Sequence, residues 1–367
     1  MILDDGVIKV IIAGGGTGGH VFPAIAIARA LEKADERIEI LFVGAKGRME
    51  MEKVPAAGFK IEGLMVTGIE RKMTPSNLMV PLKAFSSLFK SAGLIRSFCP
   101  EVVIGVGGYA SGPMLLAAQM RGLPTLIQEQ NSYAGLTNKW LSMGANKICV
   151  AYDGMEKYFP DDKIVKTGNP VREDILNLDG KREEGAKHFG LDLSRPVLLV
   201  MGGSLGARSI NESIEEGIEA IRAEGVQLIW QTGKSFYERA RIFEGHTIKV
   251  VEFIDRMDLA YAVSDAVVSR AGALAISELA IVGKPSILVP SPNVAEDHQT
   301  KNALSIVSLR ACLLVNDDLA RTKLVETAMM LIKNDNLKKE LGENIAKLAI
   351  RDSAQRIAEE VIRLALD

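Results

Sequence analysis

Twice along this chain a run of apolar residues breaks into a glycine turn and then into helical periodicity, and this repeat constrains the fold more than any other feature. Residues 9–20 read KVIIAGGGTGGH and residues 197–208 read VLLVMGGSLGAR. Each is a continuously apolar strand, a glycine turn and a helix start, the opening of a Rossmann-like unit. The first opening, at 7–13, is followed by apolar β-rich runs at 39–43, 102–106 and 125–128. The second, at 197–201, is followed by runs at 227–231, 248–253, 266–269 and 286–289. Helical patterns alternate with them, which makes parallel sheets. The fold expected is α/β, with two Rossmann-like domains facing each other across a cleft, and 367 residues is enough chain for two. Glycine and proline in Thr167-Gly168-Asn169-Pro170 mark the linker, dividing residues 1–168 from 169–351. The last helical pattern, at 354–366, carries Ile357, Val361, Ile362 and Leu364. It can pack on either domain, including a return of residues 352–367 to the first.

A strand that turns sharply into a helix leaves backbone N–H groups unpaired beside the positive end of the helix dipole. Glycine removes the side chain that would keep a phosphate away. A third glycine turn, GVGGYASG at 105–112, follows another strand candidate. Gly14, Gly16 and Gly19 satisfy GxGxxG, so a nicotinamide-dependent oxidoreductase has to be weighed. That fingerprint wants an acid at the end of the second strand to hold the ribose. Here the strand runs into the basic Gly44-Ala45-Lys46-Gly47-Arg48, which weakens the NAD reading and leaves NADP open. A better ribose ligand lies in the second half. SRAGALAISE at 269–278 follows a strand and opens a helix with Glu278 on its second turn, against the plain alternative of an exposed helical Glu. His20 closes the first loop at a helix start, where the neutral imidazole is favoured, as a general base requires.

With 44 basic against 46 acidic residues the formal net charge is −2, so no global field argues for nucleic acid. The acidic doublets Asp4-Asp5, Asp161-Asp162 and Asp317-Asp318 sit in polar, loop-like settings and no DxD pair lies among apolar neighbours. A diphosphate leaving group would then be stabilised by helix dipoles and loop N–H groups, with no metal and no cofactor. Cys99, Cys149 and Cys312 have neither disulfide nor zinc spacing and read as buried thiols. No basic segment followed by an apolar signal run precedes the first strand, and no apolar stretch is long enough to span a bilayer. A reduced cytoplasmic setting is expected.

These motifs together resemble the MurG family, which moves N-acetylglucosamine from UDP onto undecaprenyl-diphosphate-linked N-acetylmuramyl-pentapeptide. The resemblance covers nearly the whole chain. It rests on GGTGGHVFPA at 15–24, GGYASGP at 107–113, EQNSYAGLTNKWL at 129–141, GNPVR at 168–172, GGSLGAR at 202–208, EFIDRM at 252–257, the 273–278 segment and DHQTKNA at 297–303. It implies an inverting, metal-independent transferase of the GT-B type acting in peptidoglycan synthesis, with the donor held mainly by the C-terminal half. Carried over by position, Thr17, Gly18 and Gly19 would face the donor's diphosphate-sugar region, Asn131 and Gln299 the sugar, and Ser204 the diphosphate. Ile254 would read uracil through its backbone and Glu278 would hold the ribose. Ala273, Leu274, Ala275, Ile276 and Ser277 would supply the helix start, and Arg172 belongs to the nucleotide set without an assigned role. His20 resembles the proposed base for the muramyl hydroxyl, with Glu129 second. Members often have His where this chain has Gln128.

Three other readings remain on the sequence alone: a UDP-N-acetylglucosamine 2-epimerase-like isomerase, a transferase with another lipid acceptor, and a non-enzymatic nucleotide-binding module. An epimerase has no use for an apolar, basic docking face. Residues 69–98 offer one: Arg71, Lys72, Lys83, Lys90 and Arg96 stand against Glu70 alone. Within them Leu78, Leu82, Phe85, Leu88, Phe89, Ala92 and Ile95 recur at helical spacing, with Lys83, Ser87 and Lys90 on the other side. The resemblance implies a membrane-associating patch here. Leu78, Leu82, Phe85 and Leu88 would then face lipid beside Lys72 and Lys83, holding the protein on an anionic surface at the cytoplasmic face of the plasma membrane. The competing reading is that the stripe packs on the core.

Overall fold

The computed structural model describes residues 6–66, 80–203, 205–294 and 297–366, without the side chains of 80–84. By contacts the chain forms two compact units, Met1–Arg172 with Asp352–Asp367, and Glu173–Arg351. In the first, strands β1 (Ile8–Ala13), β2 (Ile38–Ala45), β3 (Lys60–Leu64), β4 (Val102–Gly105), β5 (Thr125–Glu129), β6 (Lys147–Val150) and β7 (Ile164–Lys166) alternate with helices α1 (Gly18–Ala34), α2 (Glu50–Ala56), α3 (Val80–Phe98), α4 (Ser111–Gln119) and α5 (Leu136–Leu141). The strands form one parallel sheet in the order β3-β2-β1-β4-β5-β6-β7.

The second unit opens with α6 (Lys181–Phe189). It continues through β8 (Val197–Met201), α7 (Arg208–Glu216), α8 (Ile218–Ala223), β9 (Gln227–Gln231), α9 (Lys234–Ala240), β10 (Ile248–Val251) and α10 (Met257–Val263). Then come β11 (Ala266–Ser269), α11 (Ala273–Val282), β12 (Ser286–Leu288), α12 (His298–Val307), β13 (Leu313–Leu314), α13 (Ala320–Lys333) and α14 (Asp335–Ala346). Its parallel sheet runs β10-β9-β8-β11-β12-β13. The last helix, α15 (Ser353–Leu366), packs against α1 in the first unit. These are two Rossmann-like domains, the domain pair of the GT-B class.

The unbroken apolar runs follow from sheets covered on both faces. Along β1, Val10 and Ile12 enter a core with Ile27 and Leu31 of α1 and Ile357 and Val361 of α15. Ile11 and Ala13 enter a second core with Ile95 of α3, Met114 and Ala118 of α4 and Leu141 of α5. In the second unit Leu198, Val200, Trp230 and Ile248 pack on Ile210 and Ile214 of α7 and Leu324 and Ala328 of α13. Strand order reverses beside β1 in one sheet and beside β8 in the other. A doubly wound sheet binds ligands at such switch points, beyond the carboxyl ends of its strands.

Helix α3 departs from the expected stripe. Ser87 and Ser91 are buried with Ile95, and the Ser87 hydroxyl donates to Met65 O at 3.2 Å. Leu88 is half-buried against the α3–α4–α5 core, not lipid-facing as expected. Phe85 and Phe89 lie on the opposite side, 63% exposed each, edge-to-face with ring centroids 4.7 Å apart. Two residues advance a helix by about 200°, which puts Phe85 across the axis from Ser87. Small serines on the inner face let α3 sit close, and the large rings are left outside. Cys149 and Cys312 are buried, and burial pushes both thiols up to about 12, whereas Cys99 is exposed and corrects the expectation of three buried thiols.

Candidate active site

The first site element is the turn between β1 and α1. Gly15 and Gly16 take φ of +136° and +91°, open to glycine and strained for other residues. A side chain on Gly108 would reach within 2.1 Å of Gly15 O, so the first and third glycine turns touch backbone to backbone, with Gly15 N–H on Gly107 O at 3.2 Å. That contact is why both turns are glycine-rich. Thr17 is exposed at the helix cap, and its Oγ1 lies 3.1 Å from Nδ1 of His20. The ring's second nitrogen is Nε2. Gly107 makes room for the imidazole, since a Cβ there would stand 2.7 Å from its Cδ2. Gly18 is buried and Gly19 exposed in the first turn of α1.

At the end of β5, Glu129 is buried and holds the loop that follows. It accepts from Asn131 N–H at 3.1 Å, Gly135 N–H at 3.0 Å and Asn138 Nδ2 at 2.8 Å. Asn131 Nδ2 lies 3.3 Å from the same carboxylate, so a predicted sugar contact and the second base candidate form one unit. Next to it is a buried amide chain. Gln128 donates to Asn169 Oδ1 at 3.2 Å, Asn169 to Gln130 O at 3.0 Å, and Gln130 to Val106 O at 2.7 Å. It knits the end of β5 to the segment before the domain boundary. Arg172 falls in this first unit, its guanidinium 4.7 Å from the Phe22 ring centroid.

In the second unit, Gly272 caps α11 in extended conformation, so Ala273, Leu274, Ala275 and Ile276 form a helix start just past β11. Glu278 is not an exposed helical residue. It is 5% exposed and accepts a 3.0 Å hydrogen bond from Tyr261 Oη. Ser277 Oγ donates back to Ala273 O at 3.0 Å. The turn before this helix is stapled by Arg270, whose guanidinium reaches Val289 O at 3.1 Å and Asp317 at 2.5 Å. Ile254 is buried after β10, and Gln299 in the first turn of α12 accepts from Ser291 N–H at 2.9 Å. Ser204, Lys72 and Leu78 lie outside the described residues, as do the side chains of Leu82 and Lys83.

Sequence reading missed Tyr261, Arg270 and Glu50. Glu50 opens α2 two residues beyond the basic stretch that argued against NAD. It is 1% exposed and accepts from Gly16 N–H at 2.8 Å and Ala45 N–H at 2.9 Å. An acid in the first turn after the second strand was the available signal.

Residues 10–150 match the glycosyltransferase family 28 N-terminal domain and residues 197–357 the glycosyltransferase family 28 C-terminal domain. A UDP-N-acetylglucosamine--N-acetylmuramyl-(pentapeptide) pyrophosphoryl-undecaprenol N-acetylglucosamine transferase of Cytophaga hutchinsonii is 54% identical over 97% of this chain and 96% of its own. Proteins of the same name from Phocaeicola vulgatus and Flavobacterium psychrophilum are 52% and 50% identical, each over at least 96% of both chains. The chain belongs to the MurG family. Among solved structures, MurG of Acinetobacter baumannii superposes with a TM-score of 0.74 at 28% identity, covering 97% of this chain and 99% of that one. A UDP-GlcNAc 2-epimerase from Neisseria meningitidis reaches 0.67 at 14% identity, over 97% and 100%, a likeness of fold between that enzyme and this MurG family member.

Proposed function

We propose that this chain transfers N-acetylglucosamine from UDP-N-acetylglucosamine to the 4-hydroxyl of N-acetylmuramyl-pentapeptide carried on undecaprenyl diphosphate, with inversion and without a metal ion. The observation that carries this is identity of about 50% over nearly the full length of relatives whose name states that transfer. The N-terminal unit (Met1–Arg172 with Asp352–Asp367, four residues longer than the 1–168 expected from sequence) would serve the acceptor and the C-terminal unit (Glu173–Arg351) the donor. Nε2 of His20 takes the proton of the acceptor hydroxyl as that oxygen bonds to the anomeric carbon. The bond from that carbon to the UDP oxygen breaks, and UDP leaves with the electron pair. Thr17 steadies the ring through Nδ1. The α11 start at 273–277 faces developing negative charge, helped by Ser204, Gly18 and Gly19. Glu278, braced by Tyr261, accepts from the ribose hydroxyls, the Ile254 backbone reads uracil, and Asn131 and Gln299 contact the sugar. Arg172 completes the nucleotide set.

The acceptor's lipid requires a bilayer surface. No helix among the described residues is long and apolar enough to cross a membrane. The side of the first sheet covered by α3, α4 and α5 instead exposes Phe85, Phe89, Met120, Leu136, Trp140 and Met143. Apolar insertion there, with attraction of Lys72 and Lys83 to anionic lipid, gives reversible binding to the cytoplasmic leaflet of the inner membrane. The product feeds peptidoglycan synthesis, and through it cell-wall biogenesis, shape and division. The test is release of UDP with and without the lipid-linked acceptor. The transferase reading expects release only with acceptor. Conversion of the donor to its 2-epimer without acceptor would overturn it.

A further inference from the structure

The Glu50 carboxylate sits where a Rossmann glycine turn ordinarily receives an anionic ligand. Gly16 N–H belongs to the loop that leads into α1, and in a dinucleotide site such a loop gives its N–H groups to a pyrophosphate. Here Oε2 of Glu50 accepts that N–H at 2.8 Å, and Oε1 accepts Ala45 N–H at the end of β2 at 2.9 Å. The fit is close. A Cβ on Gly15 would lie 2.3 Å from the Glu50 Cδ, and one on Gly44 2.5 Å from its Cγ. The group is 1% exposed, so an incoming phosphate would have to expel a buried, hydrogen-bonded carboxylate that repels it.

One residue past Gly16 stands Thr17, whose hydroxyl meets His20 Nδ1, and Thr17 O accepts His20 N–H at 3.0 Å. The position of the imidazole therefore depends on where Gly16 is held, and Gly16 is held by Glu50 on one side and by the contact of Gly15 with Gly107 and Gly108 on the other. We propose that Glu50 is a positioning residue for the reaction: its carboxylate fills the first glycine turn as an internal anion and so sets the Thr17–His20 pair. This rests on the reading of His20 as the base. It explains how a turn satisfying GxGxxG serves proton transfer, with the Gly16 N–H already taken by an internal carboxylate.

The test compares Glu50→Ala, Glu50→Gln and Glu50→Asp with wild type. It measures kcat, donor KM, the pH profile of kcat, UDP affinity by calorimetry, and thermal unfolding. Misplacement of a reacting group by about 1 Å can cost on the order of a hundredfold in rate. Glu50→Ala is expected to lower kcat by roughly tenfold to a hundredfold, with donor KM and UDP affinity within about twofold of wild type. Its acidic pH limb should shift, because the environment of His20 changes. Glu50→Gln keeps one acceptor oxygen and should recover part of the rate, more than Glu50→Asp, which is too short for both N–H groups. A folded Glu50→Ala with wild-type kcat and pH profile overturns the proposal. So does a Glu50→Gln that cannot fold, since the residue would then serve folding alone. His20→Ala run in parallel separates the layers: if it keeps full turnover the base assignment falls, and if it is inactive while the Glu50 variants are normal only this inference falls.

Discussion

At His20, substitution by Ala removes the ring that Thr17 holds through Nδ1 and leaves the backbone bonds of the turn intact. Turnover is expected to fall on the order of a hundredfold or more with donor affinity little changed. A folded variant turning over at the wild-type rate would return His20 to a structural cap. Glu278→Gln keeps the hydrogen bond from Tyr261 and removes a charge, so UDP binding should weaken by about 1–3 kcal/mol, read by calorimetry. Unchanged affinity would detach Glu278 from the ribose. Both residues stood out as candidates in the sequence because each lies in the first two turns of a helix that follows a strand. Glu50 was not, because its hydrogen-bond partner Gly16 lies 34 residues away and only the folded sheet brings them together. Arg172 was legible as part of a motif, but its seat on Phe22 depends on a tertiary contact that no local pattern carries.

Among the elements, α3 shows where periodicity misleads. Hydrophobicity alone groups Phe85 with Leu88, whereas close packing favours Ser87 and Ser91 inside and the rings outside. Phe85→Ser with Phe89→Ser should therefore spare the melting temperature and reduce sedimentation with anionic vesicles. A large loss of stability, or a wild type that ignores vesicles, would contradict the membrane reading. Of the nine strands legible as apolar runs, β4, β5, β8, β9, β11 and β12 are buried along their whole length. Those missed are short or lie toward a sheet margin: β3 and β7 are partly exposed, β6 has four residues, and β13 has two. Helices α6 and α10 are joined by Asp258, which Lys181 reaches at 3.0 Å and Arg256 at 2.9 Å. Burial pushes the Asp258 carboxyl up, but these hydrogen bonds outweigh it and hold the group well below the usual carboxylate range. A depressed folded value adds stability above the unfolded value of about 3.9, and that stability is lost as pH falls through the folded value. Asp258→Asn should cost about 1.5–3 kcal/mol in urea unfolding at pH 7, the range for hydrogen bonds to charged groups, and progressively less below about pH 4. A penalty independent of pH would refute the charge assignment.

Over the whole molecule, two strand–turn–helix openings, each followed by alternating strands and helices, made the double Rossmann fold legible from the chain alone. The return of α15 to α1 was not legible, because its apolar face suits either domain until the sheet faces exist. Division of labour follows from what each opening holds. The first glycine turn carries an internal carboxylate and a histidine, while the second domain presents a helix start and a buried acid. The most direct test is transfer of radiolabelled N-acetylglucosamine from UDP to lipid-linked N-acetylmuramyl-pentapeptide by the purified chain in excess chelator. The account predicts label in the lipid product, joined to the 4-hydroxyl with inverted anomeric configuration, at a rate unaffected by chelator. Label that stays on the nucleotide, or transfer that stops until a divalent ion is restored, would contradict it.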